Sequence, residues 1–588
     1  MIATSRSGSS SRARRVFAGV VCLVAVLGLA LTTWVGVRAA LAQGHLSEAR
    51  AVVSATVSDV DDLAAATAAL SSAGADTSAA RELTADPIWR LAETLPWVGP
   101  QLSAVSETAA AIDGAVAAVD PLAAAAAALS LDVLRPVDGA IDVSRIAAVA
   151  PAAADAAATL RESADRVDAI DRLPLLGRVS EGVSEAGELL GTAADAADAL
   201  ERATRLVPAM LGADRPRSTL VLLQNNAEWR SLGGVVGAVV QLDTVEGRMT
   251  LAAQASSADV AASGDSPVAE LPDDVRSIYD TRPARYLQNT TQVPDFSVGA
   301  PLAREMWRRV HGTTVDAVVA LDPVTLAYLL RATGPVRLPS GDVLTTDNAV
   351  PLLLDETYRR YADPRDQDAF FQSASAAVFQ ALADGHVDPV ALVDAVSHSA
   401  QERRLLIWNA DATEQAVLDG STLQGALPTS DDRRTTFGVY LNDGTGSKMD
   451  YYLHPHVEIA WCTDDTASLH VELRSDAPDP ASLPTYVTGG GEYGVPVGDA
   501  LTGVYVYLPP GAVLVERRTS ADGDAPGFAG GVHDERQVVK WSVQLAPGET
   551  ARLELLVRLA RTPELDAVAT PTRDGAEVPR IGECRFRG

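Results

Sequence analysis

The stretch Leu220–Leu251, LVLLQNNAEWRSLGGVVGAVVQLDTVEGRMTL, decides how the centre of this chain is read. Leu220 to Leu223 is a short apolar run that suits a buried strand. Gln224, Asn225, Asn226, Glu228 and Arg230 then crowd amide, carboxylate and guanidinium groups together, which predicts a polar turn. Gly233 and Gly234 bring the backbone round without a Cβ, or let a ligand approach closely. Val235 to Leu242 returns as a second strand, and Glu246-Gly247 turns it into a third that starts at Met249. So many polar groups at one strand end either close the domain as a buried network or build a ligand site, since loops at strand ends commonly carry function.

Working toward the C-terminus, the pattern alternates. Pro301 to His311 reads as helix, Val315 to Leu321 as buried strand and Pro323 to Ala332 as helix, stopped by Gly334-Pro335. Thr346-Asp347-Asn348 resembles an N-cap before Ala349 to Tyr361, and Gln367 to Leu382 is a further helix. Strands alternating with helices predict an α/β layered domain over residues 217–404. Over 435–560 the segments Leu453–Trp461, Ala467–Leu473, Gly503–Leu508, Val538–Leu545 and Ala551–Leu559 alternate apolar and polar residues between turns, predicting an antiparallel β-sandwich. Residues 561–588 form a C-terminal tail. Gly489-Gly490-Gly491 is read as a turn rather than a phosphate cradle.

Working toward the N-terminus, residues 41–211 are alanine-rich with periodic Leu, Val and Ile, the pattern of an all-α region of amphipathic helices. LPWVGP at Leu95–Pro100 is echoed by LPLLGR at Leu173–Arg178, each breaking the chain between helices. Ile88, Trp89, Leu91, Leu95 and Trp97 argue against disorder, because they need burial. Core packing is the favoured fate of Trp89 and Trp97, lipid headgroups the alternative. Residues 1–15 form a basic tail carrying Arg6, Arg12, Arg14 and Arg15, and 16–37 is an uncharged apolar stretch closed by Arg38. That length spans a bilayer, and the arginines place the N-terminus in the cytoplasm and the bulk of the chain outside the cell membrane. An uncleaved single-pass anchor is favoured over a cleaved signal peptide, whose apolar region is usually shorter.

The 588 residues predict several domains, and the net charge of −29 argues against nucleic acid as partner, since phosphate needs a basic face. Lys448 and Lys540 are the only lysines. Cys22 falls in the apolar stretch, which leaves Cys462 and Cys584 as a disulfide candidate in an oxidising compartment. There is no Gly-x-Ser-x-Gly elbow, Walker loop or zinc-ligand spacing.

The strings LLQNNAEWRSLGGVVGA, VDAVVALDPVTLAYLLRATGPV and LNDGTGSKMDYY resemble the bacterial domain-of-unknown-function family 4012. That resemblance implies a single-pass envelope protein of a Gram-positive bacterium with a role in surface polysaccharide. The order of elements in the middle domain also bears a distant resemblance to the LytR-CpsA-Psr family, which transfers glycopolymers from polyprenyl-pyrophosphate lipids. It departs at Gly233-Gly234-Val235, where that family has a signature aspartate, and at Ser257-Ala258-Asp259, where it has Pro-Arg-Asp. On this resemblance Asn225, Asn226, Glu228, Arg230, Arg359, Arg360, Arg365 and Gln367 are ligand-binding candidates. Glu228, Asp259 and Asp295 are candidates for Mg²⁺, a hard cation that suits carboxylates. The function expected is non-catalytic or ligand-binding, in surface glycopolymer assembly, with a lipid-linked glycan or cell-wall polymer as partner. The alternative is a Mg²⁺-dependent transferase acting on polyprenyl-pyrophosphate-linked glycans.

Overall fold

A computed structural model of the chain describes residues 33–45, 47–48, 63–129, 135–260, 266–385, 387–523, 527–574 and 579–586. The basic tail 1–15 and residues 16–32 of the expected span lie outside them; residues 33–37 are helical. The described residues form two compact units, one within 1–130 and 144–207, the other within 131–143 and 208–588.

The first unit is helical. Its main helices are Leu63–Thr84, Pro87–Glu93, Gly99–Leu129, Ala150–Asp168 and Gly177–Met210 as far as Val207. The buried residues of Ala150–Asp168 include Ala157, Leu160, Ala164 and Val167, and those of the next helix Val183, Ala186, Leu190 and Ala197. Both sets repeat at intervals of three, four or seven, which keeps one seam facing its neighbours. Alanine along the seam lets the backbones approach closely. Two stretches, Gly99–Ala125 and Val143–Asp168, are also long and apolar enough to cross a membrane by length and composition. Core packing claims only one of the five large apolar residues around the first echo motif. Trp89 is fully buried, while Ile88, Leu91, Leu95 and Trp97 are exposed. On the helix Pro87–Glu93 the buried residues are Trp89 and Ala92, which leaves Ile88 and Leu91 on its outer face, and Leu95 and Trp97 follow in the turn after it.

The second unit begins with a five-stranded sheet. Its strands are β1 (Arg217–Arg230), β2 (Gly233–Val245), β3 (Arg248–Ser256), β4 (Ala317–Leu321) and β7 (Leu406–Asn409), in the order β3-β2-β1-β4-β7. A small hairpin, β5 (Val336–Arg337) and β6 (Val343–Leu344), lies between β4 and β7 in sequence. β1 pairs antiparallel with β2 and parallel with β4, because the crossover to β4 carries the helix Phe296–His311. That helix starts earlier than its apolar pattern predicts, since the Asp295 carboxylate accepts the Ser297 N–H at 2.9 Å and caps it. Phe296, Ala303, Met306 and Trp307 pack on Leu220, Leu222, Val318 and Ala320 of the sheet. The predicted helix Ala349–Tyr361 is broken in character: Ala349–Pro351, then a π-helical turn Leu352–Glu356, then Thr357–Arg360.

The predicted polar turn is strand instead. β1 runs on to Arg230, and only Ser231 and Leu232 separate it from β2. Asn225 pairs with Val235 and Trp229 with Gly234, so Asn226, Ala227 and Glu228 form a bulge. A bulge bends its strand, and Trp229 lands in the core of the C-terminal sheets.

Those sheets are β8 (Arg434–Asp443), β9 (Leu453–Trp461), β10 (Thr466–Ser475), β11 (Ala500–Tyr507), β12 (Val513–Ala521), β13 (Gly527–His533), β14 (Arg536–Leu545), β15 (Thr550–Arg558), β16 (Glu564–Ala569) and β17 (Arg580–Ile581). They form two five-stranded sheets, β12-β15-β10-β9-β17 and β13-β14-β11-β8-β16. Val439, Val504, Trp541 and Val543 of one and Val457, Leu469, Val471 and Leu555 of the other share one core. The pairing is not wholly antiparallel: β16 runs parallel to β8 and β17 parallel to β9. Both strands come from the segment read as tail, which returns along the sheet edges. Cys462 and Cys584 form a disulfide that fixes this return.

Candidate functional site

The bulge of β1 and its flanks carry the polar side chains of Gln224–Arg230, which are buried except for the half-buried Asn225. Glu228 and Arg230 are both buried. Glu228 Oε2 accepts from Lys448 Nζ at 2.5 Å and its Oε1 from Arg230 Nη2 at 3.3 Å. Arg230 also donates to Asn289 Oδ1 at 3.0 Å and to the carbonyl of Trp229 at 2.7 Å. Burial opposes the charge on Glu228, but the Lys448 and Arg230 charges outweigh it and hold the carboxyl below its usual range. Lys448 is pushed upward against the opposing effect of burial, chiefly by Glu228. Its ammonium lies 5.7 Å and 5.4 Å from the ring centres of Tyr358 and Tyr486, two rings stacked on each other at 5.7 Å, so the cation sits beside the aromatic pair.

Two further acids close the network. Asp443 accepts from the Thr445 N–H at 3.0 Å and the Thr445 hydroxyl at 2.6 Å, fixing the turn after β8. Asp450 accepts the Trp229 N–H at 2.8 Å, which satisfies a backbone donor left by the bulge. Burial, then repulsion from Glu228, raises Asp443. Burial, then Asp443, raises Asp450 well above the carboxylate range, and Asp450 Oδ1 has no hydrogen-bond partner. Three acids face two cations here, and burial beside the other two acids favours the neutral form of Asp450.

Of the amides, Gln224 and Asn226 are tied in through one end each, Gln224 Nε2 and Asn226 Oδ1 having no hydrogen-bond partner. Asn225 donates to the Tyr358 hydroxyl and accepts the Ala227 N–H at 3.0 Å. Asn226 donates to the Pro571 carbonyl at 3.1 Å, bringing the C-terminal segment onto the bulge. Gln224 accepts the Gly234 N–H at 2.9 Å. Gly234 is required by close approach, because a Cβ there would stand 2.1 Å from the Asn225 carbonyl oxygen.

The arginine candidates have other partners. Arg359 binds Asp355 at 2.8 Å and the Tyr452 hydroxyl at 2.7 Å. Arg360 binds Asp342 at 2.7 Å, and Arg365 starts a helix with its N–H on the Asp363 side chain. Gln367 is buried and donates to the Tyr361 carbonyl at 2.8 Å. Of the metal candidates, Asp259 accepts from Ser256 N and Oγ at 3.0 and 2.9 Å, Asp295 caps its helix, and Glu228 is paired as above. Among the described residues, the side chains whose ligand atoms gather as a metal would require are His45, Glu48 and Asp76, within 4.8 Å of one another. That trio could coordinate a metal. His45 Nδ1 and Asp76 Oδ1 are 2.9 Å apart.

The sequence reading missed Lys448, Asp443, Asp450, Asn289 and Tyr358. Lys448 carried a signal: it is one of two lysines in a chain that otherwise uses arginine. A compact ammonium on a flexible stem reaches the buried Glu228 carboxylate beside the stacked Tyr358 and Tyr486 rings.

No curated protein and no solved structure matches the chain. Residues 214–358, from just before β1 to Tyr358, match the family model described as Protein of unknown function (DUF4012).

Proposed function

We propose that this chain is a single-pass, membrane-anchored protein of the cell envelope, with the N-terminus cytoplasmic and the bulk outside, whose middle α/β domain and C-terminal β-sandwich act without catalysis. The observation that carries this reading is the Glu228–Lys448 pair. The polar groups of the bulge, which in a transferase would face substrate, are buried and joined to the C-terminal segment. The disulfide Cys462–Cys584 supports an oxidising compartment. The residues 214–358 matching the DUF4012 model support a place among envelope proteins, and a role in surface glycopolymer assembly is the working assignment. The partner proposed is a lipid-linked glycan or cell-wall polymer, held by exposed surface rather than by the network.

The test is binding and turnover with a polyprenyl-pyrophosphate glycan, with and without Mg²⁺, on the full chain in nanodiscs. The non-catalytic reading expects no Mg²⁺-dependent release of pyrophosphate. Turnover abolished by Arg230→Ala, in protein that still folds, would establish the transferase alternative in its place.

A further inference from the structure

The two echo motifs meet in space. Gln101, just after LPWVGP, donates to the Pro174 carbonyl at 2.7 Å and accepts the Leu176 N–H at 2.9 Å, which clamps LPLLGR beside it. Together they present large apolar side chains outward. Trp97 is 90% exposed, Leu173 95%, Leu176 68% and Leu91 64%. Soluble surfaces scatter such residues singly, so a contiguous cluster marks a contact. The first loop is also built to hold its shape. Trp97 has φ 72°, a left-handed conformation that strains a non-glycine residue. Gly99 has no room for a side chain, since a Cβ would lie 2.0 Å from the Glu93 carbonyl oxygen. The backbone therefore fixes Trp97 in its outward position.

The register of the N-terminal helix shows which end of the unit this is. His45 meets Asp76 at 2.9 Å, Arg38 meets the Leu83 carbonyl at 3.0 Å, and Val35 shares an apolar cluster with Trp89, Ala92 and Leu102. Ten residues back along the first helix, roughly 15 Å, its neighbours advance from Asp76 to Trp89. The helix thus descends toward the apolar run 16–37 on the same side on which the chain ascends to Trp97. Exposed arginines, Arg90, Arg172 and Arg178, stand in or beside the two loops. Arg172 pairs with Asp168 at 3.4 Å, while Asp171 accepts the Leu173 N–H at 3.0 Å and Glu93 the Ser106 hydroxyl at 2.6 Å. Tryptophan and leucine flanked by arginine is the composition of a membrane-interface contact.

We infer that the paired loops Leu95–Pro100 and Leu173–Arg178 are a second membrane contact, in which Trp97, Leu173 and Leu176 insert at the headgroup–acyl boundary beside the N-terminal span. The helical unit is thereby held against the bilayer instead of swinging on a single tether. This inference rests on the reading of residues 16–37 as an anchor.

The test uses the full chain with Cys22→Ala, the disulfide left intact, in nanodiscs of phosphatidylcholine and phosphatidylglycerol. A nitroxide is attached at Leu173→Cys and, as reference, at Leu189→Cys, which is also exposed and lies roughly 18 Å along the helix beyond Gly177. The expected result is several-fold lower accessibility to a water-soluble nickel relaxant at 173 than at 189, with higher accessibility to oxygen. Equal, water-like accessibility at both positions overturns the proposal, and is the outcome if the loops dock a protein. A chain that nanodiscs do not retain overturns the anchor reading itself, and this inference with it.

Discussion

Lys448 Nζ lies 2.5 Å from Glu228 Oε2, across 220 positions of sequence, and both side chains are buried. This contact ties the bulge of β1 to the turn after β8. It joins the first sheet to the two C-terminal sheets within the second unit, alongside Trp229 in the C-terminal core. A buried pair of this kind is weak evidence of net stabilisation but costly to break, because the survivor is left charged in a low-dielectric site.

Lys448→Met should therefore destabilise the protein by about 3–5 kcal/mol. The double variant Lys448→Met/Glu228→Gln should recover a large part of that loss. Urea denaturation of the full chain in detergent measures both. A double variant as unstable as the single would show that the pair is not coupled.

Asp450 gives a dependence on pH. Its carboxyl is raised in the folded state, so folding takes up a proton above the unfolded value of about 4. Stability from this group is full below that value and falls as pH rises toward the folded one. Asp450→Asn keeps an acceptor for the Trp229 N–H and removes the titration. The variant should gain on the wild type steadily between pH 4 and 7 in urea midpoints; parallel curves would refute a neutral Asp450. Glu228 acts with the opposite sign, since its lowered value gives stability that is lost as pH falls.

Gly234→Ala should cost more than about 2 kcal/mol, the range reached when backbone must move. Gly237→Ala, three residues on in the same strand, meets nothing nearer than 3.9 Å and should be mild. Thermal unfolding of the two variants side by side reads the difference. Equal effects would mean that the bulge yields easily.

Removing the disulfide with Cys462→Ser and Cys584→Ser should cost about 2–5 kcal/mol, because it closes a long loop of the unfolded chain. The sequence separation is 122 residues. Reductant should lower the wild-type midpoint by a similar amount and leave the double variant unchanged.

Much of the local structure could be read directly. Leu220–Leu223 reads as buried strand because its apolar run is continuous, and Glu246-Gly247 reads as a tight turn, as found between β2 and β3. The helices Pro323–Thr333 and Pro364–Ala383 lie where the apolar pattern puts helix, and the second starts three residues before Gln367 because Asp363 caps it with proline next. The fate of Gln224–Arg230 was not legible in the same way. Polar residues in a row favour a loop until distant partners satisfy them, and those partners are Tyr358, Asp450, Lys448 and Pro571.

Many of the elements, the helical alanine seams, the pairing candidates among three cysteines and the apolar run at the N-terminus are legible in the chain alone. Those depend on periodicity and on residue chemistry within a few positions. Folding in three dimensions settles that the polar run is buried strand, that Trp89 is core while Trp97 faces out, and that the tail supplies two parallel edge strands. Each of these turns on whether a remote segment arrives to cover a side chain, and local sequence does not encode that arrival.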